Sequence, residues 1–91
     1  MNLAAMAIRV SGISDETMVR AIQNYDTIEE AIDGFISGLN ESAELLEQDS
    51  NPEVTAMLKE QIEVIVSAMD SVRSKIRILD EQVSKAVAGG G

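Results

Sequence analysis

The 91-residue sequence predicts an all-α protein: an antiparallel two-helix hairpin that dimerises into a four-helix bundle. Three observations carry that expectation. Apolar residues recur over positions 58–86 in alternating steps of four and three, which draws one stripe along a helix. No segment keeps the period of two that a strand requires. A single turn cluster, Gln48-Asp49-Ser50-Asn51-Pro52, divides the body of the chain into two halves of similar length.

The elements follow in order. Residues 1–12 read as an N-terminal arm, a tail or short extended segment. Its apolar run, MNLAAMAIRV, is too short for a membrane span, which needs roughly 20 apolar residues. It also lacks the basic start and the cleavage pattern of a secretory signal. The hairpin occupies 13–87. Its first helix, about 14–48, begins at Ser14 followed by Asp15 and Glu16. Met18, Ile22, Tyr25 and Ile28 lead into a stripe at Ile32, Phe35, Leu39, Ser42 and Leu46. Two successive steps of three break the register near Tyr25, and Thr27-x-x-Glu30 has the form of a capping box. One long helix with a local stammer is favoured over two helices that meet there.

The turn covers 49–52. The second helix, about 52–87, has Asn51 or Ser50 as N-cap, Pro52 in the first turn and Glu53 to complement the helix dipole. Its stripe is Leu58, Ile62, Ile65, Met69, Val72, Ile76, Leu79, Val83 and Ala86. Residues 88–91 read as a flexible Gly tail, since Gly disfavours helix by about 1 kcal/mol each. The expected hairpin seam is therefore Ile32, Phe35, Leu39 and Leu46 against the run from Leu58 to Val83. Charge supports the pairing. Folding about position 50 brings Arg73, Lys75 and Arg77 beside Asp26, Glu29 and Glu30, and Lys85 near Asp15 and Glu16.

One seam does not use all the apolar surface. Val54, Met57, Val64 and Ala68 form a second stripe, assigned here as a partner interface. Small domains bury too little surface to be stable alone, which points to association as a homodimer or as a heterodimer with another helical protein. Gly34-x-x-x-Gly38 puts two small residues one turn apart, a pattern that permits close helix packing.

Composition excludes several function classes. The chain has no Cys and no His, so it has no disulfide framework, no thiolate or imidazole metal site and no His-dependent triad. A net charge of −9 with one Tyr, one Phe and no Trp argues against nucleic acid. No calcium-loop array occurs, and no base is placed to activate a Ser. The sequence therefore predicts no enzyme, no cofactor and no metal. Nine acids and no Lys or Arg lie in residues 21–58, read as a solvated face rather than a docking surface.

Ile8-x-Val10 ahead of the first helix, and Ile76-x-x-x-Asp80-x-x-Val83-x-x-x-Val87 near the end, resemble the small helical-hairpin proteins of type VII secretion. These are the tryptophan-x-glycine family and its companions. The chain lacks the Trp-x-Gly turn, as do companions that escort a larger secreted protein. The resemblance implies a secretion-system substrate or export companion that pairs with another hairpin or with a toxin's helical N-terminal region. It implies residence in the cytoplasm before export and secretion without a cleaved signal peptide, with Ile76 and Asp80 at the position of the export signal. Ser50-Asn51-Pro52 and Ile76-Arg77-x-Leu79-Asp80 are also similar to type III secretion needle subunits, which implies a filament subunit as the alternative. A small coiled-coil adaptor dimer is the third reading.

Overall fold

The structure, a computed structural model, describes residues 2–89. They form three α-helices, α1 (Leu3–Val10), α2 (Asp15–Asp49) and α3 (Pro52–Ala88), with no strand among the described residues.

The N-terminal segment is helical rather than a tail or an extended arm. Asn2 Oδ1 accepts the Ala5 N–H at 2.8 Å, and Leu, Ala and Met then fill the first turns with strong helix formers. The helix ends at Ser11, whose N–H bonds the Ala7 carbonyl. Gly12 follows at φ +86°, a left-handed conformation open to Gly without strain, and it redirects the chain.

Ser14 Oγ accepts the Thr17 N–H at 3.2 Å and opens α2. The helix continues unbroken past Tyr25. Thr27 does not cap a second helix, because its hydroxyl donates back to the Gln23 carbonyl at 3.0 Å. Asn51 opens α3: its Oδ1 accepts the Val54 N–H at 2.9 Å. Past the end of α3, the Gly89 N–H bonds the Lys85 carbonyl. Of the expected Gly tail, Gly90 and Gly91 lie outside the described residues.

The buried side of α2 runs through Met18, Ile22, Tyr25, Glu29, Ile32, Ile36, Leu39 and Ala43, all buried or half-buried. The steps alternate four and three throughout, so no stammer exists. The expected break came from ranking residues by hydrophobicity. That choice selects Ile28 and Phe35, whereas the helical period turns Glu29 and Ile36 inward.

The chain divides into two compact units, Met1–Glu29 with Ser74–Gly91, and Glu30–Arg73. In the first, the terminal unit, Ala5, Met18, Val83 and Ala86 form a small core, with Ile8, Ile22, Tyr25 and Val87 packed against it. Arg9 donates to the Ala86 carbonyl at 3.1 Å. In the second, the central unit, Ile32 is buried and Leu39, Leu58, Ile62 and Met69 are half-buried. Lys59 pairs with Glu47 at 2.8 Å. Arg73 pairs with Asp33 of α2 and with Asp70 one turn back on its own helix. Arg73 thus meets Asp33, an acid that the expected charge pairing did not include.

Five residues expected in the seam are exposed. Phe35, Leu46, Ile65, Val72 and Leu79 are each between 40 and 48% exposed. Phe35, Ile65, Val72 and Leu79 each stand one position before a half-buried residue, Ile36, Val66, Arg73 and Asp80, which is a rotation of about 100° around the helix.

Candidate interaction surface

On α3 the heptad repeat is split between two environments. Ile62, Met69, Ile76 and Val83 are half-buried or buried, while Ile65, Val72 and Leu79, three residues after each of the first three, are exposed. Within the central unit the exposed set continues into the stripe expected as a partner interface. Val54, Met57, Val64 and Ala68 are all exposed, Met57 by 58% and Val64 by 63%. Positions 54, 57, 61, 64 and 68 step by three and four, so they share one side of the helix, with Ile65 and Val72 along its border. Only Gln61 interrupts the apolar character.

Phe35 bears the same relation to Ile32 on α2 as Ile65 bears to Ile62 on α3. The Lys59–Glu47 and Arg73–Asp33 pairs join residues in opposite order along the two helices. For helices running in opposite directions, equal offsets fall on the same side. Phe35 therefore shares the face of Ile65 and Val72 in the central unit. Beyond their own chain neighbours and helix backbone, Gly34 and Gly38 have no described atom within 4 Å of where a Cβ would stand. They make no close helix contact among the described residues, and there is open space over both.

Sequence reasoning named half of this face. It placed Val54, Met57, Val64 and Ala68 there and assigned Phe35, Ile65 and Val72 to the seam. Ile65 and Val72 also fit the four-and-three repeat, so the period does not separate them from the seam and their accessibility does.

Other features are more modest. In the terminal unit Leu3, Met6 and Val10 line the outer side of α1, with Leu3 and Val10 each 84% exposed. Asp26, Glu29 and Asp80 bring carboxylate oxygens within 4.8 Å of one another, and Ser84 donates to Asp80 at 3.1 Å. Glu29 Oε1 is buried and meets no hydrogen-bond partner among the described residues. The sequence could not assemble this trio, because Asp80 comes from the other long helix. In the central unit a cleft of about 450 Å³ lies between Glu47, Ser50, Pro52, Thr55, Ala56 and Lys59, where the buried Thr55 Oγ1 meets no hydrogen-bond partner among the described residues.

The residues that carried the family resemblance are placed as follows. Ile8 and Val10 lie within α1, the first half-buried and the second exposed. Ile76 and Asp80 are both half-buried on α3. No helix among the described residues is long and apolar enough to cross a membrane. No protein-family model, curated protein sequence or solved structure matches the chain.

Proposed function

We propose that the chain is a non-enzymatic helical interaction module, an antiparallel hairpin that completes a four-helix bundle with another helical element. The observation that carries this reading is the exposure of Ile65, Val72 and Leu79 in the same heptad repeat that buries Met69 and Val83. A seven-residue apolar repeat left open to water selects a helical partner, because only another helix presents knobs and holes at that spacing.

With the resemblance of Ile8-x-Val10 and the Ile76–Val87 segment, the module reads as a secretion-system substrate or export companion.

The test combines sedimentation equilibrium of the chain alone with binding to a 28-residue heptad-repeat peptide whose flanking positions are uncharged. A closed complex is expected, of two copies or of chain plus peptide, and Val64→Glu should abolish it. Open-ended growth with concentration would instead indicate the filament. Absence of any complex would overturn the reading.

A further inference from the structure

We infer that the apolar face of the central unit is built for a helical segment with basic flanks rather than for a second copy of this chain. This rests on the interaction-module reading and names the partner's chemistry. Three observations carry it.

The first is the rim of the face. Glu41 precedes the exposed Leu45 by four residues, Glu53 precedes Met57 by four, and Glu60 precedes Val64 by four. That spacing sets each exposed carboxylate beside an apolar residue on the same helix. Acids thus border the apolar stripe of α3, and one stands beside the exposed Leu45 of α2.

The second is how the local cations are used. The central unit holds ten acids and two basic residues, a net charge of −8 out of −9 for the whole chain. Those two, Lys59 and Arg73, are committed to Glu47, Asp33 and Asp70 within the same unit. None of these three pairs uses a residue of the apolar face. Basic flanks on a covering helix would complement the exposed Glu41, Glu53 and Glu60.

The third is the consequence for self-pairing. Two central units laid face to face would set −8 against −8, with acid rim opposing acid rim. Like charges in apposition across an interface slow encounter and disfavour the complex. A helix with Leu or Ile at its core positions and Lys or Arg beside them meets both the apolar face and its border. That is the rule by which flanking charges choose partners in coiled coils.

The experiment uses the full chain and three 28-residue helical peptides with identical apolar core positions and Lys, Gln or Glu at the flanks. A fourth peptide keeps the Lys flanks and carries Ser in the core positions. Affinities are measured by titration calorimetry at low and high salt. The Lys-flanked peptide is expected to bind at least about tenfold more tightly than the Glu-flanked one at low ionic strength, with the gap narrowing at 500 mM salt as screening grows. The Phe35→Ser/Val64→Ser double variant, with its helicity verified by circular dichroism, is expected to lose at least about fivefold in affinity for the Lys-flanked peptide.

Equal binding of Lys- and Glu-flanked peptides would overturn the inference. So would a closed dimer of the chain that outcompetes the Lys-flanked peptide, although that result would leave the interaction module standing. Undiminished binding of the Ser-core peptide, or of the double variant, would reduce the attraction to charge alone and also overturn it. Failure of all four peptides together with a monomeric chain would remove the interaction module itself.

Discussion

Arg9 in the last turn of α1 donates to the backbone carbonyl of Ala86, 77 residues further along the chain. This contact ties the first helix to the end of the last. The Ala86 carbonyl lies in the final turn of α3, where intrahelical donors run out and negative partial charge accumulates. Ala5 and Ala86, both fully buried, allow the two backbones to approach. Enlarging Ala86 to Leu should therefore displace α1, at a cost of about 1–3 kcal/mol for overpacking. Hydrogen exchange at the amides of Met6–Val10 should accelerate in the variant, while amides in the middle of α3 keep their protection.

Ile32 and Phe35 separate stability from surface. Ile32 is 6% exposed and Phe35 is 48% exposed, three residues apart on one helix. Truncation of Ile32 to Ala should cost about 2–4 kcal/mol in urea unfolding. Phe35→Ala should cost under about 1 kcal/mol, despite removing the larger side chain. Equal losses would mean that Phe35 belongs to the seam after all.

Glu29 occupies a seam position with one buried oxygen lacking a partner and with Asp26 and Asp80 close by. Replacing it with Leu removes an uncompensated buried acceptor and one of three crowded carboxylates. Stability should rise by about 1–2 kcal/mol, seen as a higher melting temperature at neutral pH. A lower melting temperature would show that Glu29 is satisfied in solution.

Gly34 and Gly38 have room for a methyl group. Gly34→Ala and Gly38→Ala should each stabilise the isolated chain by up to about 1 kcal/mol through helix propensity. Should a partner helix pack closely over them, the same substitutions would weaken binding while raising the melting temperature. Calorimetric binding beside thermal unfolding separates the two effects.

Asn51 caps the longest helix through its side-chain acceptor. Asn51→Ala should cost about 1 kcal/mol, and Asn51→Asp or Asn51→Ser should recover most of it in the same unfolding assay.

Much of the fold was legible because caps and periods are local. Ser14, Asn51 and Pro52 announce the starts of α2 and α3, and the alternating steps after Leu58 announce a helix whatever surrounds it. Two things were not legible. The helicity of residues 3–10 depends on the Asn2 cap and on the alanines that fit against Ala86, which lies far away in the sequence. The rotation of each stripe was misread near Tyr25, where Ile28 outranks Glu29 in hydrophobicity but not in angle. The exposed apolar face of the central unit was half legible for the same reason. Val64 is off the seam on any reading, whereas Ile65 and Val72 fit the repeat and look internal until their accessibility is known.

The divided repeat of α3 has a consequence for how sequence variation would be tolerated. Positions 62, 69, 76 and 83 answer to folding, and changes there would be read out as yield and protease resistance. Under the proposed function, positions 65 and 72 answer to the docked helix, so a library randomised at those two sites should express evenly and sort only when screened for capture of a helix. One helix thus carries two independent channels of selection, offset by three residues.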